Sequence, residues 1–571
     1  MNGRTHENEP MAPSPRILVE RLGSGRLAGG VDVIALALAA GLLVPFTHAP
    51  EEWSSLGFVV MVPWLWALDR ARSLRQSVAL GTGFSLVLAT AAFGWFPAVV
   101  ARYTGYSMWA VWCVWLAAAP LLHAQPIAFA VTRWVVRPRR DGALATMIGW
   151  SAPALAWIGI ESVIPRLLGD TLGYGLYGAS HIRQLADVAG ARGLTLLLLV
   201  GNVLALAAAA PGNTPRPRTP SPSGASLRSP RLIAALALVA LLACSWAYGA
   251  WRIRSFPRDG AAGVSVAIVQ SNLTDYARLR HDLGTFDAAQ LILDTHFALA
   301  DQVSSADLVV WPETVYPTTF GAPRSADGAE LDDRILRFVS RRGVPLVFGT
   351  YDRDASGEYN AAALLVPRGA EIERARYHKV HPFPFSEWLP DAIDSPALRE
   401  RLPWAGRWRP GRGATIWHVR TGAGDLRLAP LICYDAAFTA HTAEAARLGA
   451  QLLVSLSNDS WFSDTPAPEL HLIVSAFRSV ETRLPQIRAA NSGVSAVIDA
   501  AGEIRARTEF GTRAVLSATV SPSIVPSTLV VRWGDWLGPA ALVAAIGLIA
   551  AARALTGRGS TLELKADRLM G

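Results

Sequence analysis

The stretch Leu428-Ala-Pro-Leu-Ile-Cys433-Tyr-Asp435 says most about how this chain folds. Its apolar run predicts a buried strand, and Cys433 stands where that strand ends. The other two cysteines, Cys113 and Cys244, lie inside long hydrophobic stretches. A thiol at a strand end, followed by a turn and a carboxylate, occupies the position of a nucleophile. Taken alone, a lone cysteine is more often a small buried hydrophobic residue.

Two segments upstream also end predicted strands with reactive side chains. They are Val309-Val-Trp-Pro-Glu313 and Arg376-Tyr-His-Lys379-Val-His-Pro-Phe-Pro-Phe-Ser-Glu387. A thiol needs a base, and a glutamate can serve when burial raises its pKa. A lysine stabilises an oxyanion and lowers the pKa of a nearby thiol. Each residue alone has a structural explanation, as a helix cap, a solvated charge or an arginine partner. Together the segments predict a cysteine-based catalytic site.

The composition indicates a membrane protein. Of 571 residues, 51% are hydrophobic and 17% are charged, which is typical of chains with many apolar segments. Most of the predicted segments reach the ~20 residues that cross a bilayer, although the second is short. The eight segments are 30–48, 56–68, 77–99, 107–131, 144–165, 188–210, 232–251 and 534–552.

Arginine-rich loops alternate with arginine-poor loops along these segments. If all eight segments span, every arginine-rich loop lies on one side, which predicts that both termini are cytoplasmic. The same pattern accounts for the net charge of +8, so no nucleic-acid partner is expected. The predicted division is a cytoplasmic tail 1–29, seven transmembrane helices 30–251, an outer catalytic domain 252–530, an eighth helix 531–553 and a cytoplasmic tail 554–571.

The block 252–530 has a different character from the apolar segments. Short apolar runs alternate there with helical patterns, which predicts an α/β domain with a covered sheet. The predicted helices lie around Ala288–Gln302, Asp332–Arg341 and Leu472–Arg483. The predicted strands are Val264–Val269, Leu308–Trp311, Pro345–Gly349, Ala361–Val366, Leu428–Ile432, Leu452–Ser457 and Val494–Ile498.

The reactive segments resemble the Glu–Lys–Cys motifs of the nitrilase (carbon–nitrogen hydrolase) superfamily. The matching strings are Trp311-Pro-Glu313, Tyr377-His-Lys379 with Pro384-Phe-Ser-Glu387, Ile432-Cys433-Tyr434-Asp435 and Ser457-Asn458-Asp459-Ser460-Trp461-Phe462. With its hydrophobic segments, the chain resembles the membrane-embedded branch, the apolipoprotein N-acyltransferases, over roughly residues 30–553. The resemblance implies a multi-pass α-helical membrane domain of about eight spans plus an α/β nitrilase-like α-β-β-α sandwich.

The resemblance also implies a reaction and its residues. Cys433 would take an acyl chain from the sn-1 ester of a phospholipid, typically phosphatidylethanolamine, as a thioester. The N-terminal amine of a diacylglyceryl-cysteine apolipoprotein would then accept it. Glu313 would be the general base and Lys379 the oxyanion stabiliser. The implied supporting residues are Glu387, Tyr434, Asp435, Asn458 and Trp461.

The family further implies no cofactor and no metal, a monomer, and a place in the bacterial inner membrane with the catalytic domain on the periplasmic face. Some positions depart from the family pattern: Asp435 replaces a glutamate, and Leu470, Ser492 and Ser386 replace a glutamine, an asparagine and a glycine. A cap on the helix after Cys433 is the favoured role for Asp435, and orientation of Lys379 is the alternative.

Three other functions stay open at this level. The first is a membrane-tethered amidase in which water resolves the thioester. The second is a divergent paralogue that uses another amine acceptor. The third is a silent lipid- or lipoprotein-binding protein, which would not need Glu313, Lys379 and Cys433 together.

The alternation of arginine predicts the topology directly. A reporter fused after residue 251, or within 252–530, should be active only outside the cytoplasm. A reporter fused at Gly571 should be active only inside. Activity on the opposite side at either point would contradict the eight-span arrangement.

Overall fold

The computed structural model describes residues 15–137, 143–164, 170–209, 230–255, 263–274, 276–422, 424–462, 465–523 and 528–569. Several of the arginine-rich loops used for the topology lie outside these ranges, including 210–229. The described chain has an N-terminal helical part, a two-sheet domain, and a last long helix that packs against the helical part through α8, as defined below.

The N-terminal part is helical throughout its described residues. Two helix pairs are bent, by 64° between α4 and α5 and by 43° between α6 and α7. Pro97 and Pro126 lie in the first turns after the two breaks, where a missing N–H costs nothing. The helices are α1 (Pro15–His48), α2 (Pro50–Trp53), α3 (Val62–Arg70), α4 (Leu74–Ala91), α5 (Phe96–Thr104), α6 (Met108–Leu122), α7 (Gln125–Val135), α8 (Ala143–Val163), α9 (Ala186–Ala209) and α10 (Pro230–Arg254).

Within the described residues, four helical segments are long and apolar enough to cross a membrane. They are Gly29–His48, Ile182–Ala209, Pro230–Arg254 and Leu537–Ala554, and the number rises to six if each bent pair is one span. The predicted second segment forms a 3-10 helix, Ser54–Phe58, and the nine-residue α3, which is too short to span alone. The division into eight spans therefore stays a prediction.

The catalytic block contains twelve described strands in two six-stranded sheets. Their orders are β12-β1-β2-β3-β4-β5 and β11-β10-β9-β8-β7-β6. The centre of each sheet is parallel, and the remaining pairs are antiparallel. The strands are β1 (Val264–Gln270), β2 (Leu308–Val310), β3 (Leu346–Asp354), β4 (Gly357–Arg368), β5 (Glu371–His378), β6 (Trp417–Thr421), β7 (Gly424–Ile432), β8 (Leu452–Ser457), β9 (Gln486–Ala490), β10 (Ala496–Ile498), β11 (Ile504–Arg507) and β12 (Ala514–Val520).

The two sheets pack face to face, and helices cover their outer faces. Val266 and Ile268 of one sheet share a core with Leu428 and Val454 of the other. The predicted α-β-β-α sandwich is thereby confirmed. The remaining helices are α11 (Tyr276–Leu283), α12 (Thr285–Ala300), α13 (Ala326–Arg342), α14 (Pro396–Arg401), α15 (Thr439–Arg447), α16 (Ala467–Thr482), α17 (Leu529–Trp533) and α18 (Leu537–Leu569).

All seven strands predicted with bounds are present, and five further strands had no predicted bounds, although a strand before Lys379 was expected. Four of them, β5, β6, β11 and β12, are the outermost strands of the two sheets. Outer strands expose one edge; β5, β6 and β11 carry charged residues, and Ser517 and Thr519 interrupt β12, so all four lack the continuous apolar run of a buried parallel strand. The fifth, β9, is central but contains a buried arginine, Arg488.

Helix α16 joins the two parts of the molecule. Its residues Ile473 and Phe477 belong to the same buried cluster as Phe46 and Leu194 of the helical part. Arg478 donates to Glu481 over 2.9 Å, and both side chains are fully buried. Glu481 also accepts a 3.0 Å bond from the backbone N–H of Ala191, beside two residues of α9 with non-helical backbone angles.

Removing the Glu481 carboxylate should weaken the contact between α16 and the helical part of the molecule. Glu481→Ala leaves the Arg478 guanidinium buried without a carboxylate, so we expect the free energy of unfolding to fall by about 3–5 kcal/mol. Chemical unfolding of the detergent-solubilised protein measures the change. The control Asp425→Ala breaks an exposed pair with Arg420 and should have little effect. Equal stability of the two variants would contradict a structural role for Glu481.

Candidate active site

Cys433 lies at the sharp corner where β7 ends. The strand stops at Ile432, and a 3-10 helix, Cys433–Ala437, begins directly. The backbone φ of Cys433 is +48°, a left-handed conformation that is uncommon for a residue with a side chain. Strain of this kind persists where the surrounding structure imposes it, and such sites are often catalytic. The sequence-based placement of the thiol at a strand end agrees with this geometry.

Lys379 is buried between two carboxylates. Its Nζ lies 3.4 Å from Glu313 Oε1 and 2.8 Å from Glu387 Oε2. Lys379 follows β5, and Glu313 lies three residues after β2. Only 1% of Lys379 is exposed. The structure therefore brings together the glutamates and the lysine that the sequence singled out.

The amide of Asn360 bridges the two glutamates. Its Nδ2 donates to Glu313 Oε1 over 2.8 Å and to Glu387 Oε1 over 3.1 Å. Asn360 is a buried residue of β4. The sequence analysis did not identify it, although an asparagine directly before the apolar run Ala361–Val366 was a visible signal.

The second oxygen of Glu313 is held by the loop after β8. Glu313 Oε2 accepts a 2.9 Å bond from the backbone N–H of Asn458, which gives this predicted supporting residue a definite contact. Gly349 lies against the other side of Glu313. A Cβ at Gly349 would come within 2.5 Å of the Glu313 Cα, so only glycine fits there.

Burial and charge set the protonation of the three groups. Burial raises the pKa of Glu313, and the opposing effect of the Lys379 ammonium does not cancel it. Burial acts to lower the pKa of Lys379, but Glu313 and Glu387 outweigh it, so the pKa lies well above its usual range. Lys379 is thus held in its charged form beside the two glutamates.

The pKa of the Cys433 thiol shifts in the direction opposite to the expectation. The sequence analysis anticipated that the lysine lowers its pKa, and Lys379 does act in that direction. Burial and the charge of Glu313 dominate, however, and the pKa of Cys433 is raised. The resting group is therefore a thiol that needs a base, and Glu313 is the raised-pKa carboxylate in this cluster.

Asp435 connects the nucleophile corner to the lysine segment. Its Oδ2 accepts from the N–H of Ile432 over 3.0 Å, which is the expected capping contact. Its Oδ1 accepts from the N–H groups of Val380 and His381 over 3.2 and 2.8 Å. The residue therefore also holds the backbone that follows Lys379, and orientation of the lysine side chain stays a prediction.

A buried ionic group supports the backbone of Cys433 from α16. His471 donates from Nε2 to the carbonyl oxygen of Cys433 over 3.2 Å. The His471 Nδ1 lies 3.0 Å from Asp459 Oδ1, and Asp459 also pairs with Arg488 over 2.8 Å. The sequence analysis had no role for these three residues, although His471 and Asp459 lie in or beside its fourth motif.

Aromatic residues link this site to the membrane helices. The Trp461 ring lies 4.4 Å from the ring of Tyr103 in α5, and Phe462 lies 5.9 Å from Trp95. Trp461 is 40% exposed. The ring of Tyr434 packs at 4.9 Å on Phe383.

Comparison with known proteins adds two family matches. The carbon-nitrogen hydrolase model matches residues 265–528, and the apolipoprotein N-acyltransferase N-terminal domain model matches residues 40–204. An apolipoprotein N-acyltransferase of Geobacter metallireducens is 29% identical over 492 residues, which are 85% of this chain and 88% of that one. The Bdellovibrio bacteriovorus protein of the same name is 26% identical over 524 residues, covering 88% and 90%.

The chain belongs to the apolipoprotein N-acyltransferase family. The family resemblance drawn from the motifs is thereby confirmed. Among solved structures, a Nesterenkonia AN1 amidase from the nitrilase superfamily is similar at 19% identity and a TM-score of 0.32, covering 49% of this chain and 94% of that one.

The contact from Asn360 predicts a change in pH dependence. Its bond to ionised Glu313 lowers the pKa of that carboxylate, so Asn360→Leu should raise it. A base must be deprotonated to act. As the pH is lowered, the activity of Asn360→Leu should therefore fall at a higher pH than the activity of the parent protein. The measurement is the rate of acyl-enzyme formation against pH.

Thr350→Val is the matched control, because it removes a buried hydrogen bond to the Thr318 carbonyl on the neighbouring strand. The acidic side of the pH–rate profile of Thr350→Val should match that of the parent protein. If the acidic side of the pH–rate profile is unchanged in Asn360→Leu, this result would contradict the assignment of Glu313 as the base.

Proposed function

We propose that this protein transfers an acyl chain from a phospholipid to the N-terminal amine of a lipoprotein, with Cys433 as nucleophile. The observation that supports this most is the buried group of Glu313, Lys379 and Glu387, which interacts electrostatically with a cysteine held at φ +48°. This group supplies a base, a fixed cation and a strained nucleophile at one place. Membership in the family and contact with the membrane helices support lipid-borne substrates.

In the first half-reaction, Glu313 accepts the proton of the Cys433 thiol. The sulfur attacks the ester carbonyl carbon at the sn-1 position, and the developing oxyanion is stabilised by Lys379 and the backbone N–H of Tyr434. The C–O bond then breaks, and Glu313 returns its proton to the leaving alcohol. The products are a thioester and a lysophospholipid.

In the second half-reaction, the α-amine of a diacylglyceryl-cysteine attacks the thioester carbonyl. Glu313 accepts a proton from the amine, and the same cation stabilises the oxyanion. The C–S bond breaks, the thiol regains its proton, and an amide remains. The reaction needs no energy source of its own, because an ester is converted to a more stable amide.

The surroundings of the site support the remaining parts of the proposal. Trp461 and Phe385 are exposed aromatic residues near the site, of the kind that favours a membrane interface. The arginine pattern supports an inner-membrane protein with the catalytic domain on the periplasmic face. Phosphatidylethanolamine is the proposed donor, and a monomer is the proposed state.

Labelling tests the proposed acyl-enzyme. Purified protein given phosphatidylethanolamine with a labelled sn-1 chain should acquire label that hydroxylamine removes. Cys433→Ala should acquire none. Glu313→Gln and Lys379→Ala should each slow labelling on the order of 100-fold, the usual cost of losing a base or an oxyanion donor. Full labelling of Cys433→Ala would exclude that residue as the nucleophile.

Two controls sharpen this experiment. Cys244→Ala removes an exposed thiol of α10 and should label like the parent protein. A diacylglyceryl-cysteine peptide should discharge the label as an amide, while buffer alone should leave the thioester intact. Rapid discharge by water alone would favour an amidase.

A further inference from the structure

The carbonyl group of Cys433 is held by a side chain from another element. His471 of α16 places its Nε2 3.2 Å from the Cys433 carbonyl oxygen. Because a carbonyl oxygen only accepts, Nε2 carries the hydrogen of this bond. His471 is therefore a donor to the peptide group that directly follows the proposed nucleophile.

This carbonyl shares its peptide group with the N–H of Tyr434. The bond between Cys433 and Tyr434 is trans, and in a planar trans peptide group the C=O and the N–H point in opposite directions. A contact that fixes the Cys433 carbonyl therefore also fixes the direction of the Tyr434 N–H. That N–H is the backbone donor proposed above for the oxyanion.

The backbone at this corner needs such a contact. Cys433 has a φ of +48°, which residues with a side chain rarely adopt, and a strained conformation lasts only where its surroundings impose it. Asp435 holds the N–H of Ile432 before the corner, and His471 holds the carbonyl after it. The corner is thus fixed from both sides.

The ring of His471 is itself fixed by two buried charged groups. Its Nδ1 lies 3.0 Å from Asp459 Oδ1 and 3.1 Å from Arg488 Nη2. Asp459 and Arg488 are fully buried and pair with each other over 2.8 Å. The imidazole therefore has a defined orientation toward Cys433.

The ring is neutral in this setting. Burial and the Arg488 guanidinium lower the pKa of His471, and the opposing effect of Asp459 does not cancel them. With its hydrogen on Nε2, a neutral ring accepts at Nδ1, and Arg488 is the neighbour that donates there. Asp459 Oδ1 has a donor of its own, because the Ser457 hydroxyl lies 2.7 Å away. In either charge state of the ring, the Nε2 hydrogen faces Cys433.

These groups form a series of hydrogen bonds. Arg488 donates to His471, and His471 donates to the peptide group between Cys433 and Tyr434. Hydrogen bonds in series polarise one another in a low-dielectric interior. The positive charge of Arg488 therefore strengthens, through two hydrogen bonds, the Tyr434 N–H as a donor.

We propose that His471 is a positioning residue of the oxyanion site, which aims and polarises the Tyr434 N–H by holding the Cys433 carbonyl. This role rests on the proposed function, because an oxyanion forms there only if Cys433 takes up an acyl group. His471 acts through the peptide group and not on the substrate, whereas the Lys379 ammonium is the proposed direct partner of the oxyanion.

Two reactions of the Cys433 thiol separate this role from a general effect on structure. Acylation by p-nitrophenyl butyrate passes through an oxyanion and needs the Tyr434 N–H. Alkylation by iodoacetamide is substitution at a saturated carbon and forms no oxyanion. Both begin with loss of the same thiol proton, so the ratio of their rates isolates the oxyanion contribution. The full-length protein is used in detergent, with the exposed Cys113 and Cys244 replaced by alanine.

His471→Gln and His471→Asn form a matched pair. The glutamine amide nitrogen reaches the position of Nε2 and still donates to the Cys433 carbonyl, whereas the asparagine amide nitrogen reaches only the position of Nδ1. His471→Asn should lower the ratio of acylation to alkylation by about tenfold or more, a part of the ~100-fold that a whole oxyanion donor supplies. His471→Gln should keep most of the parent ratio.

Thr482→Val is the control on the same helix. It removes a buried hydrogen bond to the Arg478 carbonyl in the last turn of α16, so the ratio should stay at the parent value. An equal fall of acylation and alkylation in His471→Asn, or the same ratio in both His471 variants, would overturn the positioning role. A parent protein that is alkylated but not acylated would contradict the proposed function, and with it this role.

Discussion

The burial of one ammonium group organises the catalytic half of this molecule. Lys379 is 1% exposed, and an ammonium so far from water is tolerated only when opposite charges and hydrogen bonds surround it. Glu313 and Glu387 provide those charges, and Asn360 ties the two carboxylates together. The segments after β2 and β5 and the start of β4 must therefore converge at one point.

The same charges decide the chemistry. Burial would make the thiolate of Cys433 costly, so the proton leaves only when a base is in place. Glu313 is the proposed base, because burial raises its pKa while Lys379 limits the increase. One cation thus stabilises the carboxylate in the resting state and the oxyanion in the proposed transition state.

Membrane attachment and catalysis meet in α16. One part of this helix belongs to the core of the helical domain, through Phe477, and its His471 holds the carbonyl of Cys433. A displacement of α16 relative to the membrane helices would therefore move Cys433. The buried hydrogen bond from the Ala191 N–H of α9 to Glu481 resists such a displacement, because breaking it would leave polar groups unpaired away from water.

The sequence located the residues whose chemistry stands out but not those that only position them. Glu313 and Cys433 follow apolar strands, and that local pattern is readable, whereas Lys379 follows the charged strand β5 and was found through its motif. Asn360 acts through a side chain that reaches two other loops, so its role depends on pairing between β4 and β5, which sequence periodicity does not reveal. The bounds of the outer strands were not predicted for a related reason, since one exposed edge removes the apolar run.

Asp435 shows where a local interpretation falls short: the sequence posed capping and orientation of the lysine as alternatives. Its Oδ2 accepts from the Ile432 N–H and from the Tyr377 hydroxyl, and its Oδ1 accepts from the N–H groups of Val380 and His381, so the one carboxylate contacts both segments. The short aspartate arm suffices because β7 and the lysine segment already approach each other across the two sheets.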